Sequence, residues 1–171
     1  VGTDVTGVGT ARAELAACSY GSDKAIFAFG NNPAPYTAIS NLVSNVGVVA
    51  TDTAGVGTIR HRLAACGYGG DKGIFGYGAG STPKMSMTSL VSNSGVVSAD
   101  VTGVGTGRIS LAASGYGGDK GIFGFGKDTA ASPMTVGMTN LVSNSGVVAT
   151  DTARVATGRA GPSACGFSNS A

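Results

Sequence analysis

The chain has 171 residues, a formal net charge of +2, charged residues at only 12%, 30 glycines and no tryptophan. Its length suffices for one well-buried domain, since folding at this size hides roughly 70% of the extended-chain surface. The small, evenly spread positive charge argues against a nucleic-acid footprint, no apolar run approaches the length of a membrane-spanning helix, and three cysteines without a CxxC pair give neither a disulfide framework nor a zinc site.

Val1 opens the chain with no initiator Met and no charged-then-apolar leader, which reads as a processed product, an excised piece or a sequence read from the molecule itself. Residues 1–11 match the end of a repeated unit, units follow at 12–59, 60–107 and 108–158, and 159–171 match the start of another. Arg12, Arg60, Arg108 and Arg159 mark the period, at spacings of 48, 48 and 51, and Asp4, Asp52, Asp100 and Asp151 follow it. GYGGDKGIFG occurs at 67–76 and again at 115–124, and VSNSGVV at 91–97 and 142–148. Such self-similarity outranks every other signal in fixing architecture.

Each unit is predicted to hold four short strands. In the second unit the first strand spans Arg60–Gly69, and a Gly70/Asp71 turn leads to the second, Lys72–Gly78. A variable loop follows, then a third strand through Met87–Val91, a turn at Ser92–Gly95, and a fourth strand at Val96–Ala99. Gly and Asn favour such turns because they tolerate positive φ. The second strand is apolar on both faces, which suits a strand sandwiched between neighbouring sheets. The expected fold is all-β, with tandem four-stranded units of about 48 residues read as β-propeller blades. About three and a half units leave ring closure open, and a stacked solenoid or filament is the alternative.

An Arg opening a small-residue first strand, then a turn and an apolar second strand ending in aromatic-Gly, resembles a kelch-type propeller blade. That family commonly ends its second strand in Gly-Gly, where this chain has Phe29-Gly30, Tyr77-Gly78 and Phe125-Gly126, and its usual tryptophan is absent. The DKAIFGYG and NLVSNxGVV type of repeat is also similar to uncharacterised repeat proteins of environmental and phage origin. That resemblance implies an appendage or surface role.

The candidate chemistry is weighed against its structural reading. Asp23, Asp71 and Asp119, each followed by Lys, fit turn stabilisation better than a ring of sites. Arg12, Arg60, Arg108 and Arg159 are expected to pair with acids or carbonyls at exposed blade junctions, with Asp52 and Asp100 in the loops leading to Arg60 and Arg108 as the repeated partners. His61 is the only histidine, has no repeat counterpart, and is expected at the surface or in a loop. Cys18, Cys66 and Cys165 share one repeat position with Ser114 and are expected to be free, packed thiols too far apart for a disulfide. Tyr20, Tyr68, Tyr116 and Phe167 fit core packing better than a sugar-binding ring. The G-x-G stretches lack the strand-then-helix context of a nucleotide site. Variable loops at 31–37, 79–86 and 127–137 supply the candidate partner contacts Asn31, Asn32, Tyr36, Lys84, Lys127 and Asp128.

No catalytic, cofactor-binding or metal-ligating set emerges. A galactose-oxidase type of chemistry needs a Tyr, His and Cys ligand cluster that one histidine cannot supply. The expectation is a non-catalytic structural or adhesive module of an extracellular or virion assembly, a fibre or surface filament whose chief partner is itself. The alternative is a carbohydrate- or protein-binding β-propeller, with a glycan or surface protein as partner.

Overall fold

Short, two-sided apolar runs between glycine-rich turns form strands, and none of the described residues is helical. The structure, a computed structural model, describes residues 6–32, 35–81, 83–130, 134–153 and 156–166. The nine strands are β1 (Ala16–Tyr20), β2 (Lys24–Ala28), β3 (Ser40–Val43), β4 (Ala64–Tyr68), β5 (Lys72–Gly76), β6 (Thr88–Val91), β7 (Ala112–Tyr116), β8 (Lys120–Gly124) and β9 (Thr139–Val142). They make three three-stranded sheets ordered β1-β2-β3, β4-β5-β6 and β7-β8-β9. All pairing is antiparallel and the register repeats, with Cys18 opposite Ile26, Cys66 opposite Ile74 and Ser114 opposite Ile122.

The expected fourth strand is corrected to an irregular outer segment. It touches the third strand only at isolated bridges, Val43 with Val49 and Ser40 with Thr53, then Val91 with Val97 and Thr88 with Val101, and Val142 with Val148 and Thr139 with Thr152. In each pair the bridges lie three residues apart on the inner strand and four apart on the outer segment. One extra residue there is a bulge, which bends the segment and re-aims its side chains. The residues so re-aimed include Asp52, Asp100 and Asp151.

The sheets stack face to face. β1 packs on β4 and β5, and β4 packs on β7 and β8. Between the first two sheets Cys18, Tyr20 and Ile26 meet Phe75 and Val91, with Phe29 and Leu63 alongside. Between the second and third, Cys66, Tyr68 and Ile74 meet Phe123 and Val142, with Tyr77 and Leu111 alongside. The second sheet is covered on both sides, which explains its two-sided apolar strand: Ile74 and Phe75 point to opposite faces and both are fully buried. Tyr20 and Tyr68 are core residues, as expected, whereas Tyr116 is exposed because none of the described residues brings a further sheet over it.

Two glycines set the stacking distance. A Cβ on Gly73 would meet the Cys18 Sγ at 2.5 Å, and one on Gly121 would meet the Cys66 Sγ at 2.7 Å. Gly73→Ala is therefore expected to destabilise the fold by about 1–3 kcal/mol, the usual cost of overpacking. In chemical denaturation followed by circular dichroism, Gly73→Ala combined with Cys18→Ala should recover most of that loss. An unchanged midpoint for Gly73→Ala alone would contradict the stacking.

Candidate functional site

The repeated arginines build the most elaborate polar arrangement in the chain. The Arg60 guanidinium lies 4.5 Å from the ring centroid of Phe29, Arg108 lies 4.3 Å from that of Tyr77, and Arg159 lies 4.8 Å from that of Phe125. Each ring belongs to the sheet before the arginine, so every stack joins two units. The rings get there because Phe29, Tyr77 and Phe125 adopt φ of 64°, 65° and 63° just beyond the second strand. Left-handed backbone costs a non-glycine residue about 1–2 kcal/mol, and a desolvated cation over a ring offsets about that much.

The acid that answers each arginine is not the one in the preceding loop. Arg12 pairs with Asp52 at 3.9 Å, Arg60 with Asp100 at 3.8 Å and Arg108 with Asp151 at 3.6 Å. The expected partners Asp52 and Asp100 for Arg60 and Arg108 are thus displaced by one unit. Nor are the pairs exposed, for the Arg60 and Arg108 side chains are completely buried. The bulge explains the choice, since it turns each aspartate back over its own sheet toward the arginine that opened the unit.

Polar neighbours complete the clamp. Arg12 and Arg108 donate to Asn41 at 2.7 Å and Asn140 at 2.6 Å, and Arg60 donates to Ser89. Asn41 and Asn140 each pass a 2.8 Å hydrogen bond to the aspartate of their unit. The other carboxylate oxygen accepts the amide and hydroxyl of Thr10, Thr58 or Thr106, two residues before each arginine. Burial opposes the charge on Asp100 and Asp151, yet these hydrogen bonds and the arginine charge outweigh it and hold both carboxyls below their usual range. Burial also pulls the Arg60 guanidinium down to about 10, against the pull of Asp100, which leaves it charged at neutral pH. The threonines and the Asn/Ser position escaped the sequence reading. Their signal was the invariant T-x-R spacing and the polar residue before Leu-Val in every third strand.

Backbone bonds join the units in the same repeating way. Gly30 N–H donates to Arg60 O and Gly78 N–H to Arg108 O, both at 3.0 Å. Arg62 N–H donates to Glu14 O and Ser110 N–H to Arg62 O, while Gly21 and Gly69 donate to Asp71 O and Asp119 O. The Asp-Lys turns therefore carry unit-to-unit bonds through their carbonyls. Their side chains close locally, Asp23 on Lys24 at 2.9 Å, Asp71 on Lys72 at 3.2 Å and Asp119 on Lys120 at 2.8 Å, with Asn45 and Asn144 donating to Asp23 and Asp119.

His61 departs from expectation. It is buried, its ring stacked on Tyr36 at 4.3 Å between centroids and 5° between planes, and its Nδ1 lies 2.6 Å from Glu14 Oε2. Arg62 Nε donates to Glu14 Oε1 at 2.8 Å. Burial opposes the Glu14 charge, but the bonds from His61 and Arg62 prevail and hold its carboxyl below the ordinary value. Glu14, Tyr36, His61 and Arg62 follow no repeat rule, so periodicity could not find them, and together they lock the first unit to the second. The variable loops do the same further along: Lys84 Nζ donates to Thr129 and lies 3.4 Å from Asp128. Asn31 and Lys127 instead hold backbone bridges to Ala13 and Ile109, and Asn32 is half-buried.

Cys18 and Cys66 are free and buried, as expected, whereas Cys165 is free but exposed. Burial pushes both inner thiols up to about 12, so neither ionises near neutrality. An open groove of about 940 Å³ runs past Ser19, Gly67, Tyr68, Ser114, Tyr116 and Cys165. Among the described residues no group of His, Cys, Asp and Glu is placed to hold a metal ion, and no helix is long and apolar enough to cross a membrane. Asp4 and Phe167 lie outside the described residues. No protein-family model matches the chain, and no curated protein matches it.

Arg60→Leu leaves Asp100 and Ser89 without their buried partner and is expected to cost about 3–5 kcal/mol in urea unfolding. Arg60→Lys should recover little, because an ammonium can neither fork to two acceptors nor lie flat on Phe29. Acid gives a second check. With Asp100 and Asp151 lowered in the folded state, the stability they contribute is complete above the unfolded value near ~4 and is lost as pH falls through the lower folded values. The denaturation midpoint should hold steady down to about pH 5 and drop below about pH 4, and Asp100→Asn should flatten that drop.

Proposed function

We propose that the chain is a non-catalytic structural or adhesive repeat module that assembles with copies of itself in an extracellular or virion setting. One observation carries this reading: the recurring arginines stack on an aromatic ring of the preceding sheet, so the repeat's charged residues join one sheet to the next. A buried arginine held over a ring and answered by an aspartate is a device for register between sheets. In this reading the units are β-propeller blades of the kind the kelch resemblance implies, with the first strand of each innermost. The packing of β1 on β4 and of β4 on β7 supports that arrangement. Partly exposed apolar residues at the two ends of the stack support self-association, because a repeat unit buries its apolar face only against a neighbour.

The groove gives the alternative its support. A cleft of about 940 Å³ beside the exposed Tyr116 has the size and aromatic wall of a sugar-binding surface. That reading makes the chain a carbohydrate- or protein-binding propeller.

Mass photometry and negative-stain imaging of one sample separate these readings. Long stacks, or rings built from several copies, are expected for the structural module. A particle that stays monomeric at tens of micromolar and binds on a glycan array would replace it with the binding propeller.

A further inference from the structure

The two ends of the stack carry the two halves of the interface that recurs inside it. On the third sheet Tyr116 and Leu141 are 39% and 43% exposed, whereas the equivalent Tyr20 and Tyr68 are 4% and 5%. On the first sheet Phe27 is 38% exposed, whereas the equivalent Phe75 and Phe123 are fully buried. Inside the chain, faces of the first kind always receive faces of the second. Tyr20 lies under the Gly95 turn, and Tyr68 under the Gly146 turn. At the open end Tyr116 has no such cover among the described residues, and the equivalent Gly47 has nothing within 4 Å of a Cβ.

Side-chain size points to the occupant. At both internal junctions a cysteine thiol faces a glycine, Cys18 against Gly73 and Cys66 against Gly121. The third-sheet face carries Ser114 in place of the cysteine, and the first-sheet face carries Ala25 in place of the glycine. A hydroxyl is smaller than a thiol, and a methyl is larger than a hydrogen. The two departures compensate only if Ser114 meets Ala25; both residues are half-buried on the end sheets, Ser114 beside Gly166 of the chain's own last segment. Arg12 fits the same scheme. It is the one described arginine of its series with no ring assigned beneath it, while Phe125 holds Arg159, which remains exposed.

We infer that a second copy of this chain docks head to tail, its first-sheet face on the third sheet, with Ala25 against Ser114, Phe27 beside Ile122 and Leu141, and Arg12 over Phe125. The second copy's β1 displaces this chain's own 159–166 segment from the track along β7, where Gly161 N–H now donates to Ser110 O, Arg159 lies over Phe125 and Gly166 packs against Gly115 and Ser114. The inference rests on the self-assembling reading above and names its interface. Because the two faces differ, the contact is heterologous and propagates to rings or filaments rather than stopping at a dimer.

The test uses two exposed substitutions, Phe27→Lys and Leu141→Lys, each checked for native circular dichroism. Sedimentation velocity should find wild type associating, and each variant alone at least about tenfold weaker. An equimolar mixture should form a one-to-one dimer that grows no further, since it restores one intact junction and leaves the outer faces blocked. Ala25→Leu should weaken association as well, whereas Ala25→Gly with Ser114→Cys, which copies the internal junction, should preserve it. Wild-type-like association of either single variant would overturn this interface while leaving the self-assembling reading intact. A wild-type chain that stays monomeric at tens of micromolar would overturn both.

Discussion

A charged guanidinium fully removed from water is tolerable only if its charge and its donors are answered, and this chain answers them twice, at Arg60 and Arg108. Beneath Arg60 and Arg108 lies an aromatic face from the preceding sheet; beside each lies an aspartate of its own sheet. Most other features of the fold serve that requirement. The aromatic residues accept left-handed backbone so that their rings swing under the cation. The outer segment bulges so that the aspartate points inward. The threonine before each arginine fixes the far side of the carboxylate. Removing one partner from such a group leaves a buried charge alone, and at the two fully buried arginines, Arg60 and Arg108, the set is whole.

Apolar packing supplies the attraction between sheets, and the clamp supplies the register. Tyr, Ile and Leu on one face meet Phe and Val on the next, and that burial is non-directional. Sliding such faces by two residues would still bury carbon. It would also leave an arginine off the ring of the preceding sheet. The cysteine-to-glycine contacts add a steric limit, because the thiol fills the space a side chain would need. Register is thus enforced by charge at one end of the strand and by volume in its middle.

Where the repeat is broken, the breaks are local and paired. Glu14, Tyr36, His61 and Arg62 tie the first two units, and Lys84, Asp128 and Thr129 tie the next two. The second link comes wholly from the variable loops and the first takes Tyr36 from one, where sequence can drift without disturbing the strands. Loops that look free in the sequence therefore help to fasten one unit to its neighbour.

The all-β class, the period and the positions of the first three strands were legible because a strand needs only a local apolar run and a turn, and both are written in GYGGDKGIFG and VSNSGVV. The sequence also marked the residues of the clamp, since Arg, Asp, Thr and the third-strand Asn or Ser all obey the period. It did not pair them. Asp100 lies eight residues before Arg108 yet serves Arg60, forty residues away in the chain. Proximity along the backbone misled because the bulge, a feature of strand pairing, turns the carboxylate toward its own sheet. The burial of His61 was decided in the same way, by a tyrosine and a glutamate from another sheet that no spacing connects. By itself the sequence determined which residues recur and what local structure they adopt, because those depend on neighbours in the chain. Only the tertiary structure decided which arginine meets which acid and which faces stay open, because those depend on how one sheet lies upon the next.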